Sequence, residues 1–340
     1  MKKIILLCFM TIFLLVGCGK MTADKLISEF KDNVVGTRGY EIKGTMEIIS
    51  DEDIFTYDIN VAYKRDDMYR VSLINKTNNH EQIILKNQEG VYVVTPSLNK
   101  SFKFQSEWPK NSSQAYLLQS LVTDLERDGE KEFEKTDDGY IVTTKVDYPN
   151  NPDLVKEKIY FNDDKNPEKV EVFNADNQVR IKVIFNSINY RATFKDDFFE
   201  LSSIVNEEKP EEKPEKEDEE EGTVSNTLNE VIYPLYIPSD TFLTNKDIVD
   251  IENGQRVIMT FSGEKNFILV QETSTVAREF EIIPVFGEPL MLNNTIAALS
   301  GNSLHWSANK RDFYLTSNSL SKSQLTSIAQ SLNNVQPVSK

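Results

Sequence analysis

From residue 39 to residue 190, apolar side chains recur at every second position in short runs separated by polar turns. Ile42, Gly44, Met46 and Ile48 alternate with polar partners, and so do Phe55, Tyr57, Ile59, Val61 and Tyr63. Tyr69, Val71 and Leu73 follow, then Ile83 and Leu85. A period of two is the mark of strands with one face buried. Val91 to Thr95 pairs with Lys100 to Gln105 across Pro96-Ser97-Leu98-Asn99, a hairpin pattern. Strands resume at Tyr140 to Tyr148 and Lys156 to Phe161, and a last pair, Val170 to Phe173 and Val179 to Tyr190, brackets the turn Asn174-Ala175-Asp176-Asn177. Two segments break the alternation. Ala23, Leu26, Ile27, Phe30 and Val34 fall at helical spacing behind an N-cap at Thr22, with Gly36 and Gly39 ending the helix. Leu117, Leu118, Leu121, Val122 and Leu125 place a second helix at about Gln114 to Arg127. The pattern predicts an α+β unit: an antiparallel meander of about ten strands with two helices.

A long antiparallel sheet with too few helices to cover it curls, giving a half-barrel with an apolar concave face and helices as a lid. The aromatic residues Phe55, Tyr57, Tyr63, Tyr69, Tyr92, Phe102, Phe104 and Trp108 are the candidates to line that groove. The same pattern is equally that of a closed core, and it does not say which parity faces inward.

The alternation stops at Asn206. Residues 206–222, NEEKPEEKPEKEDEEEG, hold ten acidic and three basic residues, two Pro and no apolar side chain. Such a segment cannot recover its ordering entropy by burial, and it reads as an extended, self-repelling linker. It carries no EF-hand spacing. It divides residues 18–205 from a smaller α+β segment, 223–340, which closes on a helix over Ser321 to Leu332 with Leu325, Ile328, Ala329 and Leu332 on one face.

The amino terminus is different again. Lys2 and Lys3 precede an unbroken apolar run, Ile4 to Val16, too short to span a bilayer comfortably and suited to a signal peptide over residues 1–17. The run ends in Leu15-Val16-Gly17-Cys18, which resembles a bacterial lipobox. That resemblance implies acylation of the Cys18 thiol, cleavage before it, and attachment to the extracytoplasmic face of a cell membrane. Cys8 leaves with the signal peptide, so no internal disulfide is possible.

Composition narrows the chemistry. The net charge of −16 argues against a nucleic-acid partner, which needs clustered Lys and Arg. About two-fifths of the excess in residues 18–340 lies in the linker. Two His, His80 and His305, and two Cys leave little for a zinc site or for His-dependent nucleophilic catalysis. Asp196 and Asp197 are adjacent, so on an extended segment they point apart and make no acid–base pair. Gly36-Thr37-Arg38-Gly39 lacks nucleotide-loop spacing. No enzyme activity and no cofactor are expected.

Over Asn166 to Leu201 the chain reads NPEKVEVFNADNQVRIKVIFNSINYRATFKDDFFEL. This strand, Asn/Asp turn, strand and Phe-x-Asp-x-x-Phe ending, behind a leading helix and meander, resembles the close of the LolA/LolB-like lipoprotein-carrier fold. The resemblance covers residues 22–202 and implies a half-barrel that shelters acyl chains. The carrier is a soluble shuttle, whereas this chain has a lipobox. VIYPLYIPSDTF from Val231, and the stretch from Leu304 to the closing helix, resemble a small domain of unknown function in extracytoplasmic proteins of spore-forming Gram-positive bacteria. Together the halves resemble YdcC-type sporulation lipoproteins, relatives of GerS-type germination lipoproteins. The expectation is a non-enzymatic, membrane-anchored protein that holds a lipid or lipoprotein ligand in its groove during sporulation or germination. The alternative is an envelope scaffold that docks a protein partner and has no lipid ligand.

Overall fold

The computed structural model describes residues 20–50, 53–207, 228, 230–252, 254–308 and 310–333. The signal peptide, Cys18 and most of the acidic linker lie outside these residues. Helix α1 (Ala23–Gly36) comes first, and then six antiparallel strands. They are β1 (Gly39–Ile49), β2 (Ile54–Lys64), β3 (Met68–Asn75), β4 (Glu81–Asn87), β5 (Gly90–Thr95) and β6 (Lys100–Phe104). Helix α2 (Leu118–Arg127) leads into β7 (Glu132–Lys135), β8 (Tyr140–Lys145), β9 (Leu154–Phe161), β10 (Pro167–Asn174) and β11 (Val179–Asn189). A short helix, α3 (Leu201–Glu207), closes this half. The second half holds β12 (Thr241–Ile251), β13 (Gly254–Gly263), β14 (Phe267–Thr273), β15 (Glu281–Val285) and β16 (Glu288–Met291). It ends with β17 (Ile296–Ser300), β18 (Ser303–Ala308), β19 (Arg311–Thr316) and helix α4 (Lys322–Asn333).

The protein is therefore mostly β, with two large sheets. The first has twelve strands in the order β15-β6-β5-β4-β3-β2-β1-β11-β10-β9-β8-β7, and its two ends do not pair, so it is open. The second has seven, in the order β12-β13-β14-β19-β18-β17-β16. Thr22 caps α1 by accepting from the Lys25 N–H at 3.3 Å. Residues 114–117 fall outside α2, which starts at Leu118 with Leu117 as its N-cap.

Burial follows the alternation. Tyr40, Ile42 and Met46 of β1 share one face of the first sheet with Tyr57, Ile59 and Val61 of β2. That face is not left bare. Leu26, Phe30 and Val34 of α1 and Leu118, Leu121 and Leu125 of α2 pack on it, together with Ile296 and Ala298 from the second half. The β1–β11 pair bulges between Lys43 and Gly44. A Cβ on Gly44 would stand 2.3 Å from the Ile184 carbonyl oxygen, so only glycine allows the backbones to approach there. The opposite face is covered at one end by Phe199 and Ile204, over Ile83, Leu85, Tyr92 and Val94. In the second half, α4 buries Leu325, Ile328, Ala329 and Leu332 against one face of the seven-stranded sheet, with Trp306, Phe313 and Leu315.

The halves are joined by a strand exchange that local patterning does not announce. β15 leaves the second half and pairs in parallel with β6, from Glu281↔Lys100 to Val285↔Phe104. Around it the seam is polar. The buried Gln82 Oε1 accepts from the Ile296 N–H at 2.7 Å and from the Thr295 hydroxyl at 3.1 Å. Tyr57 donates to the Asn293 carbonyl at 2.8 Å, and Asn99 donates to the Ala277 carbonyl at 2.9 Å. Lys100 pairs with the buried Asp312 at 3.2 Å.

Candidate functional site

The eight aromatics expected to line a groove have other duties. Phe55, Tyr57, Tyr69, Phe102, Phe104 and Trp108 are buried in the main core, and Tyr63 is half-buried against it. Four rings run in file, Tyr40–Tyr63 at 5.0 Å, Tyr63–Tyr69 at 5.1 Å and Tyr69–Trp108 at 5.8 Å between centroids. Tyr92 lies on the opposite face, in the cluster with Phe199. β4 and β5 are buried on both faces, so their apolar runs carry no parity to read. The core closes around these rings because α1, α2 and the β17 segment fill the space an open groove would occupy.

A cavity of about 570 Å³ opens instead at one end of the first sheet, between it and the second half. Its volume lies in the ordinary range for ligand pockets, roughly 300–1,000 Å³. Ile48, Ile84, Leu154 and Ile181 supply an apolar wall. The sheet brings two of them together, since Ile48 of β1 is in register with Ile181 of β11. Tyr116 and Tyr148 flank this wall, and Leu290 and Met291 of β16 extend it. The facing wall is the polar side of α4, residues Ser323, Thr326, Ser327, Gln330 and Ser331. None of the eight predicted aromatics lines this cavity; Phe102 borders a smaller one of about 320 Å³ beside Lys100, His305 and Asp312. Sequence reasoning passed over α4's polar face. Its signal was present: between Lys322 and Asn333 the helix carries no charged residue, unusual for a face turned to water.

Two segments that line the cavity are tied together by one network centred on the buried Ser113 and Asp124. The Ser113 hydroxyl donates to Asp124 Oδ1 at 2.9 Å and accepts from the Asp147 N–H at 2.8 Å. Arg127 reaches Asp124 at 2.6 Å and Asp147 at 3.3 Å. Ser112, Gln114 and Tyr116, and Tyr148, Asn150 and Asn151, on either side of these bonds, line the cavity. Beneath them Glu157 of β9 is fully buried, with both carboxyl oxygens unpartnered, opposite Thr144 of β8 and Val172 of β10. Burial, and then the charge of Asp124, push the Glu157 carboxyl well above the usual carboxylate range. Burial also pushes Asp124 up, to about 6, against the opposing pull of Ser113 and Arg127. Glu157 is the neutral member of the pair, and Asp124 the one with a counter-ion. The Tyr148 phenol is raised well above its ordinary value by burial and then by Glu157.

The histidines stay apart. His80 lies between β3 and β4, its pKa lowered by burial. His305 sits between Tyr314 at 4.0 Å and Phe102 at 4.8 Å, and burial holds its pKa down to about 4. Asp196 and Asp197 are exposed in the loop before α3. Among the described residues, no group of three or more His, Cys, Asp or Glu is arranged to hold a metal ion.

Comparison with known proteins gives the lineage. The family described as "Sporulation protein YdcC-like" matches residues 1–199. Sporulation protein YdcC of Bacillus subtilis (strain 168) is 34% identical over 324 residues, 95% of this chain and 94% of the relative. Among solved structures, MucB aligns with 92% of this chain and 98% of its own at 13% identity, with a TM-score of 0.33. A LolA superfamily protein from Nitrosomonas europaea aligns with 54% of this chain and 99% of its own at 12% identity, with a TM-score of 0.32. A chain of the complex of the CwlD amidase with the GerS lipoprotein, from Clostridioides difficile, aligns with 51% of this chain and 98% of its own. Its identity is 20% and its TM-score 0.30. Scores this low carry no structural argument, and the assignment rests on sequence: the chain belongs to the YdcC-like sporulation protein family.

Proposed function

We propose that this protein is a non-enzymatic lipoprotein of the outer face of a Gram-positive cell membrane, anchored through Cys18, that holds the apolar part of a ligand during sporulation or germination. The ligand is a lipid or the acylated end of another lipoprotein. One observation carries the reading: the cavity of about 570 Å³ in which the end of an open sheet meets the second half. An open sheet with two helices over one face is the layout of a half-barrel carrier, but its apolar shelter is displaced from the groove to the sheet's end.

The test is to express residues 20–340, which lack the Cys18 anchor, in bacteria, extract the purified protein with organic solvent and identify the extract by mass spectrometry. Met291→Trp, placed on the cavity wall, should abolish lipid recovery while leaving the urea midpoint within experimental error. Equal lipid from both chains, or none from either, refutes the reading. The anchor has a separate check. Cys18→Ala should move the full-length protein from the membrane to the soluble fraction, and unchanged fractionation would refute acylation as the anchor.

The alternative, a scaffold for another envelope protein, is favoured by β12. This edge strand of eleven residues leaves one side unpaired and exposes Phe242 (66%), Ile248 (55%) and Val249 (45%). An extended segment of a partner would add to it as a further strand. Cross-linking to a photoreactive residue at position 248 in intact cells would separate this reading from the first.

A further inference from the structure

We propose that the protein forms a two-fold symmetric dimer in which β12 of one copy pairs antiparallel with β12 of the other, centred on Ile248. The dimer does not rest on the cavity. It gives the open edge of the second sheet a copy of this chain as its partner, in place of another envelope protein.

The two sheets have four edges, and three of them are blunted. β7 and β16 are four residues long, and β16 carries Pro289. β15 is five residues long and carries Pro284. Short strands and Pro are common devices that keep an edge from pairing with another chain. β12 has neither. It runs for eleven residues without Pro, and among the described residues no strand pairs with its outer side.

The register of β12 on β13 shifts between Leu243 and Asn245, a bulge that bends the strand there. Its regular part is therefore Asn245 to Ile251, paired without a break against Thr260 to Gly254. Directly opposite residues of an antiparallel pair share a face of the sheet. Two copies related by a two-fold axis satisfy this only when one residue of the strand faces its own copy. The middle of Asn245 to Ile251 is Ile248, so an axis there gives the longest overlap. The exposed Ile248 then meets its own copy. Lys246 falls opposite the partner's Asp250, once on each side of the axis. These three residues lie on one face, opposite Met259, Val257 and Gln255 of β13. On the other face Asp247, held by the Asn245 amide at 2.8 Å, falls opposite the partner's Val249.

Neighbouring registers lose this match. An axis at Asp247 or Lys246 opposes like charges, and one at Val249 sets Ile248 against Asp250. Both charged groups keep capacity for a partner. Lys246 donates to the Tyr233 hydroxyl at 3.1 Å and has two further protons, and Asp250 accepts from Gln255 at 3.0 Å through one oxygen.

The experiment is sedimentation equilibrium on residues 20–340. The wild-type chain should pass from monomer to dimer between about 1 and 300 µM, as suits a small interface. Lys246→Asp and Asp250→Lys should each weaken self-association roughly tenfold or more, since each sets like charges opposite one another twice. Mixing the two variants in equal amounts should restore dimerisation, because opposite charges then face each other again at both places. Residues 20–340 contain no cysteine, so Ile248→Cys adds a lone thiol whose oxidation should link two copies. Phe242→Cys, exposed but beyond the overlap, should not link them. A wild-type chain that stays monomeric, single variants that dimerise as well as wild type, or a mixture no better than its parts overturns the proposal. A monomer that cross-links through position 248 to a different envelope protein overturns it too, and assigns the edge to that protein.

Discussion

Glu157 gives the sharpest test of the buried network. Its carboxyl is fully enclosed, with neither oxygen bonded. The groups that act on it are Asp124 and Arg127 of α2, and the Tyr148 phenol is perturbed by it in turn. In the unfolded chain it ionises near its ordinary value of 4.5, while the folded protein keeps it protonated. Its folded pKa is raised, so the stability it allows is fully present below about 4.5 and is lost as pH rises toward the folded value. Through that window each pH unit removes about 1.4 kcal/mol, the linkage cost of one retained proton. Glu157→Met keeps the volume and removes the titration. Between pH 5 and 7 the wild-type chain should therefore lose stability relative to the variant. At pH 7 the variant should be the more stable, as expected when a poorly compensated buried polar group gives way to an apolar one. Asp124, raised from 3.8 to about 6, adds a loss of about 3 kcal/mol across its own window, but it is present in both chains and drops out of the comparison. The assay is urea unfolding followed by the fluorescence of Trp108 and Trp306, which sit in separate cores and so report both halves. A stability difference that does not change from pH 5 to 7, or a variant less stable at pH 7, would refute the reasoning.

Three further outcomes follow from named contacts. Gln82→Ala strips the acceptor from the Ile296 N–H and the Thr295 hydroxyl at the seam, and should cost about 2–3 kcal/mol in the same urea assay. His305 has its folded pKa lowered from 6.5 to about 4, so wild-type stability falls as pH drops through that window, by about 3 kcal/mol at its end. His305→Phe, which keeps a ring between Tyr314 and Phe102, should raise the midpoint at pH 4 and leave it unchanged at pH 7.5. Gly44→Ala drives a Cβ to 2.3 Å from the Ile184 carbonyl and should separate β1 from β11 locally, seen as lost amide protection in Lys182 to Phe185 by hydrogen exchange.

How much was legible in the sequence depends on whether the information was local. The strands around Ile42–Ile48 and Phe55–Tyr63, and helix α1 with its Thr22 cap, are each specified by their own periodicity. The face of Tyr92 is not readable from its strand, because Ile83 to Leu85 and Val91 to Val94 are buried on both sides. The strand exchange was invisible for a different reason. Glu281 to Val285 contains Pro284 and shows no strong alternation, and its partner β6 lies about 180 residues earlier, beyond any window of periodicity. Glu157 could have been noticed: in Glu157-Lys158-Ile159-Tyr160-Phe161 it occupies the inward parity of Ile159 and Phe161. An acid at a core position of an otherwise regular strand is a local contradiction, and such contradictions gather at sites with a purpose.

The cavity belongs to neither half alone. The first sheet and β16 supply its apolar wall and α4 its polar one, so both halves build it. The Gln82 bonds and the Lys100–Asp312 pair hold the two halves together. A ligand touching both walls binds the closed seam and not the parted one. Mass action then stabilises the seam by about 2.7 kcal/mol when the ligand is at a hundred times its dissociation constant. That is similar to what removal of Gln82 should cost, so a bound amphiphile should restore the Gln82→Ala variant toward wild-type stability. One that leaves the variant unchanged would not be bridging the halves.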